Sequence, residues 1–193
     1  MKKMTVKTLI AASLLAGGAI IAQETPKGWF PAGSHPRDYL MSLDTNTVHS
    51  GRASACVQSR VSEPAGFGTL MQSCSAETFR GQRVRLSAYL RASQVKDWAG
   101  LWLRVDGPKS EPLAFDNMQD RPLKQSSDWR KYEIVLDVPD ASQQVAFGLL
   151  LTGAGQVWMD DLNFEVVGKD VPTTGSGPTK RVPAAPVNLD FEE

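Results

Sequence analysis

Apolar side chains recur at every second position along most of this chain, in runs that are short. Arg83 to Arg91 sets Val84, Leu86, Ala88 and Leu90 on one side and Arg85, Ser87, Tyr89 and Arg91 on the other. Leu101, Leu103 and Val105 oppose Trp102, Arg104 and Asp106 in the same way. Tyr132, Ile134, Leu136 and Val138 share a face, as do Val145, Phe147, Leu149 and Leu151, and Gln156–Val167 alternates through Leu162, Phe164 and Val166. A period of two, broken by Gly, Pro, Asn and Asp, is the signature of strands with one buried face. Many such strands predict an all-β chain, an antiparallel β-sandwich or barrel. No segment carries a helical stripe of useful length.

The two cysteines are placed almost symmetrically about Ala65, on either side of the turn-rich stretch SEPAGFG. If the chain reverses there, Cys56 falls opposite Cys74, at the separation a cross-strand disulfide needs. The alternative is a pair of buried thiols. The disulfide is the expectation, because the chain also begins like an exported one.

That beginning is MKKMTVK followed by an apolar run from Thr8 to Ile21, ending at Ala22. A basic start, an apolar stretch too short to span a bilayer and a small residue at the cut are the parts of a secretory signal peptide. Residues 1–22 are therefore read as a signal peptide, with cleavage after Ala19 as the alternative, and the protein as periplasmic or secreted, with no membrane span in the mature chain. The sequence has 21 basic and 21 acidic side chains. Removing residues 1–22 takes Lys2, Lys3 and Lys7 and no acid, so what remains is acidic by three charges. Nucleic-acid binding through phosphates needs the opposite balance and is not expected.

Residues 24–167 suit one sandwich domain. From Gly168 to Pro186 the chain holds four prolines and three glycines with few apolar side chains, the composition of a linker. It leads to a short tail, residues 187–193, in which Leu189 and Phe191 alternate with Asp190 and Glu192.

The chemistry of an enzyme is hard to find. There are two histidines, His35 and His49, and no HExxH, GxSxG or phosphate-binding glycine loop. A binding face is easier to nominate. Trp102 and Arg104 point away from the core side of their strand, as do Tyr89 and Arg91 on theirs. The loop AFDNMQDRP adds Asp116, Asn117, Gln119, Asp120 and Arg121. Aromatic faces meet the C–H surface of a sugar, and fixed polar groups meet its hydroxyls. The competing reading packs Trp102 under this loop and pairs the polar groups among themselves.

The order of Gly28-Trp29, Tyr39, Asp44, His49-Ser50-Gly51, Ser54, then RGQRVRLSAYLR, then Trp129 and Tyr132, then Asp160-Asp161 resembles the jelly-roll carbohydrate-binding modules that accompany xylanases, over about residues 24–167. The likeness implies a galactose-binding-like jelly roll and a non-catalytic carbohydrate-binding role, with a periplasmic structural or protein-interaction module as the alternative. The stretch GLWLRVDG…LAFDNMQDRP is also similar to an uncharacterised bacterial domain sometimes attached to helix-turn-helix regulators. In the resembling modules a structural calcium is held by an aspartate, the glutamate of an opening N-x-x-F-E strand and loop carbonyls. The matching positions are Asp160, Glu192 and the loop around Asp44 and Gly51, the alternative for Asp160 being a carboxylate capped by N–H groups. The opening strand itself is missing from QETPKGW, and its pattern stands in the tail as Asn188 to Glu192. Either a second domain starts there, or the tail docks on the sandwich, in its own molecule or exchanged within a dimer. Docking is the expectation.

Overall fold

The computed structural model describes residues 24–175. The segments read as signal peptide and tail, and Glu192 with them, lie outside the described residues. Nine strands make up the domain: β1 Phe30–Gly33, β2 Tyr39–Asp44, β3 Ser54–Ser59, β4 Phe67–Ser75, β5 Arg83–Asp106, β6 Pro112–Asp116, β7 Leu123–Asp137, β8 Gln144–Thr152 and β9 Gln156–Val167. All their pairings are antiparallel. The described residues contain no α-helix, and none long and apolar enough to cross a membrane.

The alternation around residues 83–91 and 101–106 predicts two strands; the chain forms one of 24 residues. The first half of β5, Arg83 to Ser93, pairs with β7 and β9. The second half, Trp98 to Asp106, pairs with β8, and its last residues with β6. Between them the register against β7 slips three times and Gln94 takes a left-handed backbone (φ 52°). Irregularities of this kind let a strand turn the corner from one layer of a sandwich to the other. One layer is thus β1-β4-β8-β5-β6 and the other β7-β5-β9-β3-β2. The core between them takes Leu86 and Leu90 from the first half of β5, Leu101, Leu103 and Val105 from the second, and Val57, Leu70, Ile134, Leu136, Leu149, Leu151 and Met159 from its neighbours. The alternation read from the sequence is therefore the core-facing set, with one exception: Val166, at the end of β9, is 51% exposed.

The expected reversal about Ala65 does not form. β3 pairs with β2 and β9, whereas β4 pairs with β1 and β8, so the segment between them crosses from one layer to the other. Cys56 stands opposite Ser42 and Trp158, Cys74 opposite Val145, and both are free thiols. Mirror placement about a turn implies pairing only when the two flanking strands are neighbours. Residues 168–175, read as the start of a linker, lie against the sandwich instead. Arg83 donates to the carbonyls of Lys169 and Val171 while gripping Asp137 at 2.9 Å, and Thr174 exchanges two hydrogen bonds of 2.9 Å with the backbone of Val135.

Burial pushes the Cys56 thiol up to about 11, with Gln156 Nε2 3.2 Å from its sulfur partly opposing the shift. The thiolate is the reactive form. In native protein near pH 8, a disulfide-exchange dye should therefore label exposed Cys74 quickly and buried Cys56 only on unfolding. Fast labelling of both thiols, or of neither in denaturant, would contradict this placement.

Candidate functional site

The outer face of the β1-β4-β8-β5-β6 layer is itself apolar. β8 lies between β4 and β5 and is buried on both sides: Val145, Phe147, Leu149 and Leu151 face the core, while Ala146 and Leu150 join Trp102 in a second cluster on the outer face. Trp102 stands directly opposite Gly148, which in turn stands opposite Met71. With no side chain on Gly148 the indole can lie down on the sheet; a Cβ built there would come within 2.3 Å of the Leu70 carbonyl oxygen and 3.0 Å of Trp102 Nε1. The ring's Nε1 donates to Thr69 Oγ1 at 2.7 Å, and that hydroxyl donates to the Leu149 carbonyl at 2.9 Å. The buried N–H is thus satisfied by a chain of bonds anchored in the backbone.

Around Trp102, which is only 7% exposed, runs a groove of about 310 Å³ lined by Phe67, Thr69, Met71, Leu150, Arg104 and Phe115 among others. Arg104 is fixed by buried Asp106, whose carboxylate meets Nε at 2.8 Å and Nη2 at 3.0 Å. Phe115, on edge strand β6, is 37% exposed and forms the rim. Beyond it lies a polar hollow of about 330 Å³ lined by Asp116, Asn117, Gln119, Asp120, Thr174 and Gly175.

The β6–β7 loop is organised by one carboxylate. Asp116 accepts from Arg121 Nη2 at 2.6 Å and Nη1 at 3.2 Å, from the Met118 N–H at 2.8 Å and from Thr174 Oγ1 at 2.5 Å. Burial pushes its carboxyl up, but the bonds from Arg121, Thr174 and Met118 outweigh this and hold it below the usual carboxylate range. Met118, in a left-handed conformation (φ 60°), drops its side chain into the core and pins the loop. Arg121 also binds Asp120 at 2.8 Å. Of the nominated loop residues, Asp116 and Arg121 therefore build the loop, while Asn117, Gln119 and much of Asp120 face the hollow.

Trp102 and Arg104 do share the groove, but Trp102 is a packed floor and not a projecting platform. Tyr89 is not part of this face. It lies on the outside of the other layer, with His49 stacked on its ring at 3.7 Å and Trp129 edge-on to His49 at 5.7 Å. Phe67, Thr69, Met71, Phe115, Leu150, Asp106 and Thr174 were not legible as site residues. The one sequence signal for them is Gly148 within an unbroken apolar run, which marks a strand buried on both faces beside a bulky neighbour.

The residues expected around calcium use their oxygens differently. Tyr89 pairs with Asp160 but Ser87 with Asn163, so β9 carries one extra residue, and Asp161 is left-handed there (φ 51°). Counting back by twos from Leu162 places Asp160 on the inward face; the bulge switches that face from Val157 and Met159 to Leu162 and Phe164, and Asp160 does not point inward. Its Oδ2 accepts the N–H groups of His49 (2.9 Å) and Ser50 (3.1 Å), and its Oδ1 that of Asp161 (2.8 Å). Asp44 accepts from Trp158 Nε1 at 2.8 Å and from the N–H groups of Asn46 and Thr47. Gly51 (φ 66°) is a turn residue in open space. Among the described residues no group of three or more His, Cys, Asp or Glu is placed to share a metal ion. The described carboxylates of the set, Asp160 and Asp44, spend these bonds on tying down their own loops.

Comparison with solved structures places the fold. The xylan-binding domain CBM22-1 of Paenibacillus barcinonensis Xyn10C matches 74% of this chain and 88% of its own length, with a TM-score of 0.55 at 13% identity. The chain is a jelly-roll β-sandwich of the kind found in carbohydrate-binding modules. A Stig cyclase from Fischerella sp. TAU shares the fold as well, with a TM-score of 0.55, 14% identity, and 75% and 87% of the two chains covered. No protein-family model matches the chain. In sequence it is 43% identical over 168 residues, 86% of its length, to a Bacillus subtilis protein named as the uncharacterized helix-turn-helix-type transcriptional regulator YbfP. The chain spans 57% of that protein.

Two outcomes follow from this geometry. Gly148→Ala must displace the strand or the indole, an overpacking that costs about 1–3 kcal/mol; at roughly 2–4 °C per kcal/mol for a domain of this size the melting temperature should fall by several degrees. An unchanged melting temperature would mean that Trp102 does not lie over Gly148. The Asp116 carboxyl is depressed in the folded state, so its stabilisation is present above the ordinary carboxylate pKa and is lost as pH falls through the lower folded value. Asp116→Asn should accordingly lower stability at pH 7 and flatten the acid limb of the stability profile below about pH 4. An acid limb as steep as that of the parent chain would contradict the assignment.

Proposed function

We propose that the chain is an exported, non-catalytic carbohydrate-binding module that takes an oligosaccharide along the groove over Trp102. The observation that carries this reading is the groove itself: a flat indole floor with Phe67, Met71 and Leu150 beside it, an exposed aromatic rim at Phe115 and a fixed guanidinium at Arg104. Apolar faces of this kind meet the C–H surfaces of sugar rings, and the groove has the size of a small-ligand site. The fold shared with xylan-binding domains supports the substrate class. The basic, then apolar, start of the sequence supports export.

The non-catalytic part rests on chemistry. His49, Ser50 and Asp161 come together on the other layer, but both His49 Nδ1 and Ser50 Oγ are bonded to the Asp161 carboxylate, each at 2.6 Å. A nucleophilic serine needs the histidine, not the aspartate, as its partner. The arrangement ties the β2–β3 loop to the β9 bulge.

A second reading is favoured by the identity to the protein named as a regulator: a sensing or protein-interaction module that answers to a small ligand or a protein partner. Fluorescence and calorimetric titration with xylohexaose, cellohexaose and a soluble galactan separates the two. The carbohydrate reading expects tryptophan emission to shift on binding at least one of these. It also expects Phe115→Ala to weaken binding about tenfold with little change in melting temperature, since the ring is partly exposed. No binding to any of the three, or an indifferent Phe115→Ala, would favour the second reading.

A further inference from the structure

We propose that the polar hollow beyond Phe115 is a second subsite for the same ligand chain, with Thr174, on the 168–175 segment that lies as a strap against the sandwich, as its positioning residue. The inference rests on the carbohydrate reading of the groove. Phe115 lines both spaces, so one ligand lying across its ring enters both. The two spaces differ in chemistry. In the groove, the Thr69 hydroxyl is already committed to Leu149 and Trp102, which leaves a mainly apolar surface. In the hollow, Asn117 Oδ1 accepts the Gln119 N–H at 3.1 Å, which leaves the Asn117 amide nitrogen as a donor. Gln119 is exposed, and Asp120, with a side chain 74% exposed, has Oδ1 on Arg121 and Oδ2 as an acceptor. Donors and acceptors side by side suit sugar hydroxyls, each of which both donates and accepts.

The strap makes one wall of this hollow. Thr174 Oγ1 donates to Asp116 Oδ2 and accepts from the Val135 N–H, and its own N–H reaches the Val135 carbonyl. A Cβ on Gly175 would lie 2.4 Å from the Phe115 carbonyl oxygen, so the strap runs directly against β6. Thr174 therefore sets where Asp116 sits, and Asp116 holds both ends of the loop that carries Asn117 and Gln119. A ligand filling groove and hollow together must be several sugars long, and a shorter one fills the groove alone.

The test titrates the full chain with xylohexaose and xylotriose, and with cellohexaose and cellotriose. The hexasaccharide of the series that binds should bind at least about tenfold tighter than its trisaccharide. Replacing both Asn117 and Gln119 by Ala should remove that advantage and leave trisaccharide binding unchanged. Thr174→Val, nearly isosteric but without the hydroxyl, should do the same, and Thr174→Ser should keep the parent's length preference; thermal melts confirm folding of each variant. A purely structural role for Thr174 would weaken both lengths together, and that result, or equal affinity of the parent for both lengths, would overturn the second subsite while leaving the groove reading in place. Binding of none of the four sugars would overturn the subsite, and failure to bind the soluble galactan as well would overturn the groove reading with it.

Discussion

The structure depends on a single strand belonging to two sheets. β5 supplies inward residues to both layers, Leu86 and Leu90 to one and Leu101, Leu103 and Val105 to the other, so both halves of the core are covalently linked through the bend near Gln94. The bend has to be irregular. A regular strand of 24 residues would carry its second half out of the layer, whereas three register slips and one left-handed residue fold it back over the first. Gly155 sits against this bend, where a Cβ would meet the Val95 backbone at 2.7 Å, so the β8–β9 turn is fitted to the corner of β5.

The groove follows from the same strand. Its second half is paired with β8, β8 with β4 on its other side, and β1 and β6 close the edges, so an outer face five strands wide is built around Trp102. Most sandwiches alternate apolar inside with polar outside. Here the outer alternates Ala146, Gly148 and Leu150 are also apolar or small, which gives the face a floor to which a flat ring can fit. The indole has to be dry beneath and hydrogen-bonded at its edge: Ala146, Gly148 and Leu150 meet the first requirement, and Thr69 meets the second by passing the bond on to the backbone.

Much of this was visible in the chain as text. The inward alternates of β5, β7 and β8 are the core, because one buried face imposes a period of two whatever the neighbours are. Which strands are neighbours is a different kind of information, and it is there that reading failed. Cys56 and Cys74 look paired because a turn lies between them, but the turn carries the chain between layers. Asp160 looks inward because counting by twos ignores the extra residue at Asp161. Trp102 does lie on the outer side of its strand, but whether an outward ring stands up or lies down is decided by residue 148, which is 46 positions away in the chain and adjacent in space. The polar loop was half legible: composition showed donors and acceptors but not that Arg121 and Thr174 would consume Asp116.

The charges around the site show what they are for. Arg104 is matched by Asp106, and Arg121 by Asp116 and Asp120, each guanidinium meeting at least one carboxylate at 2.8 Å or closer. Both Asp106 and Asp116 are buried, and a buried carboxylate without its cation would be strongly destabilising. The arginines are therefore bound by the protein before any ligand arrives. Their planar, multiply donating heads serve to hold strands β5 and β6 and the loop after β6 in one shape. What the site presents outward is that shape: an apolar channel, an aromatic ridge and a hollow of amides. On the carbohydrate reading proposed for this groove, recognition comes from fit and from hydroxyl-scale hydrogen bonds, and the buried ion pairs contribute by keeping the surface from moving.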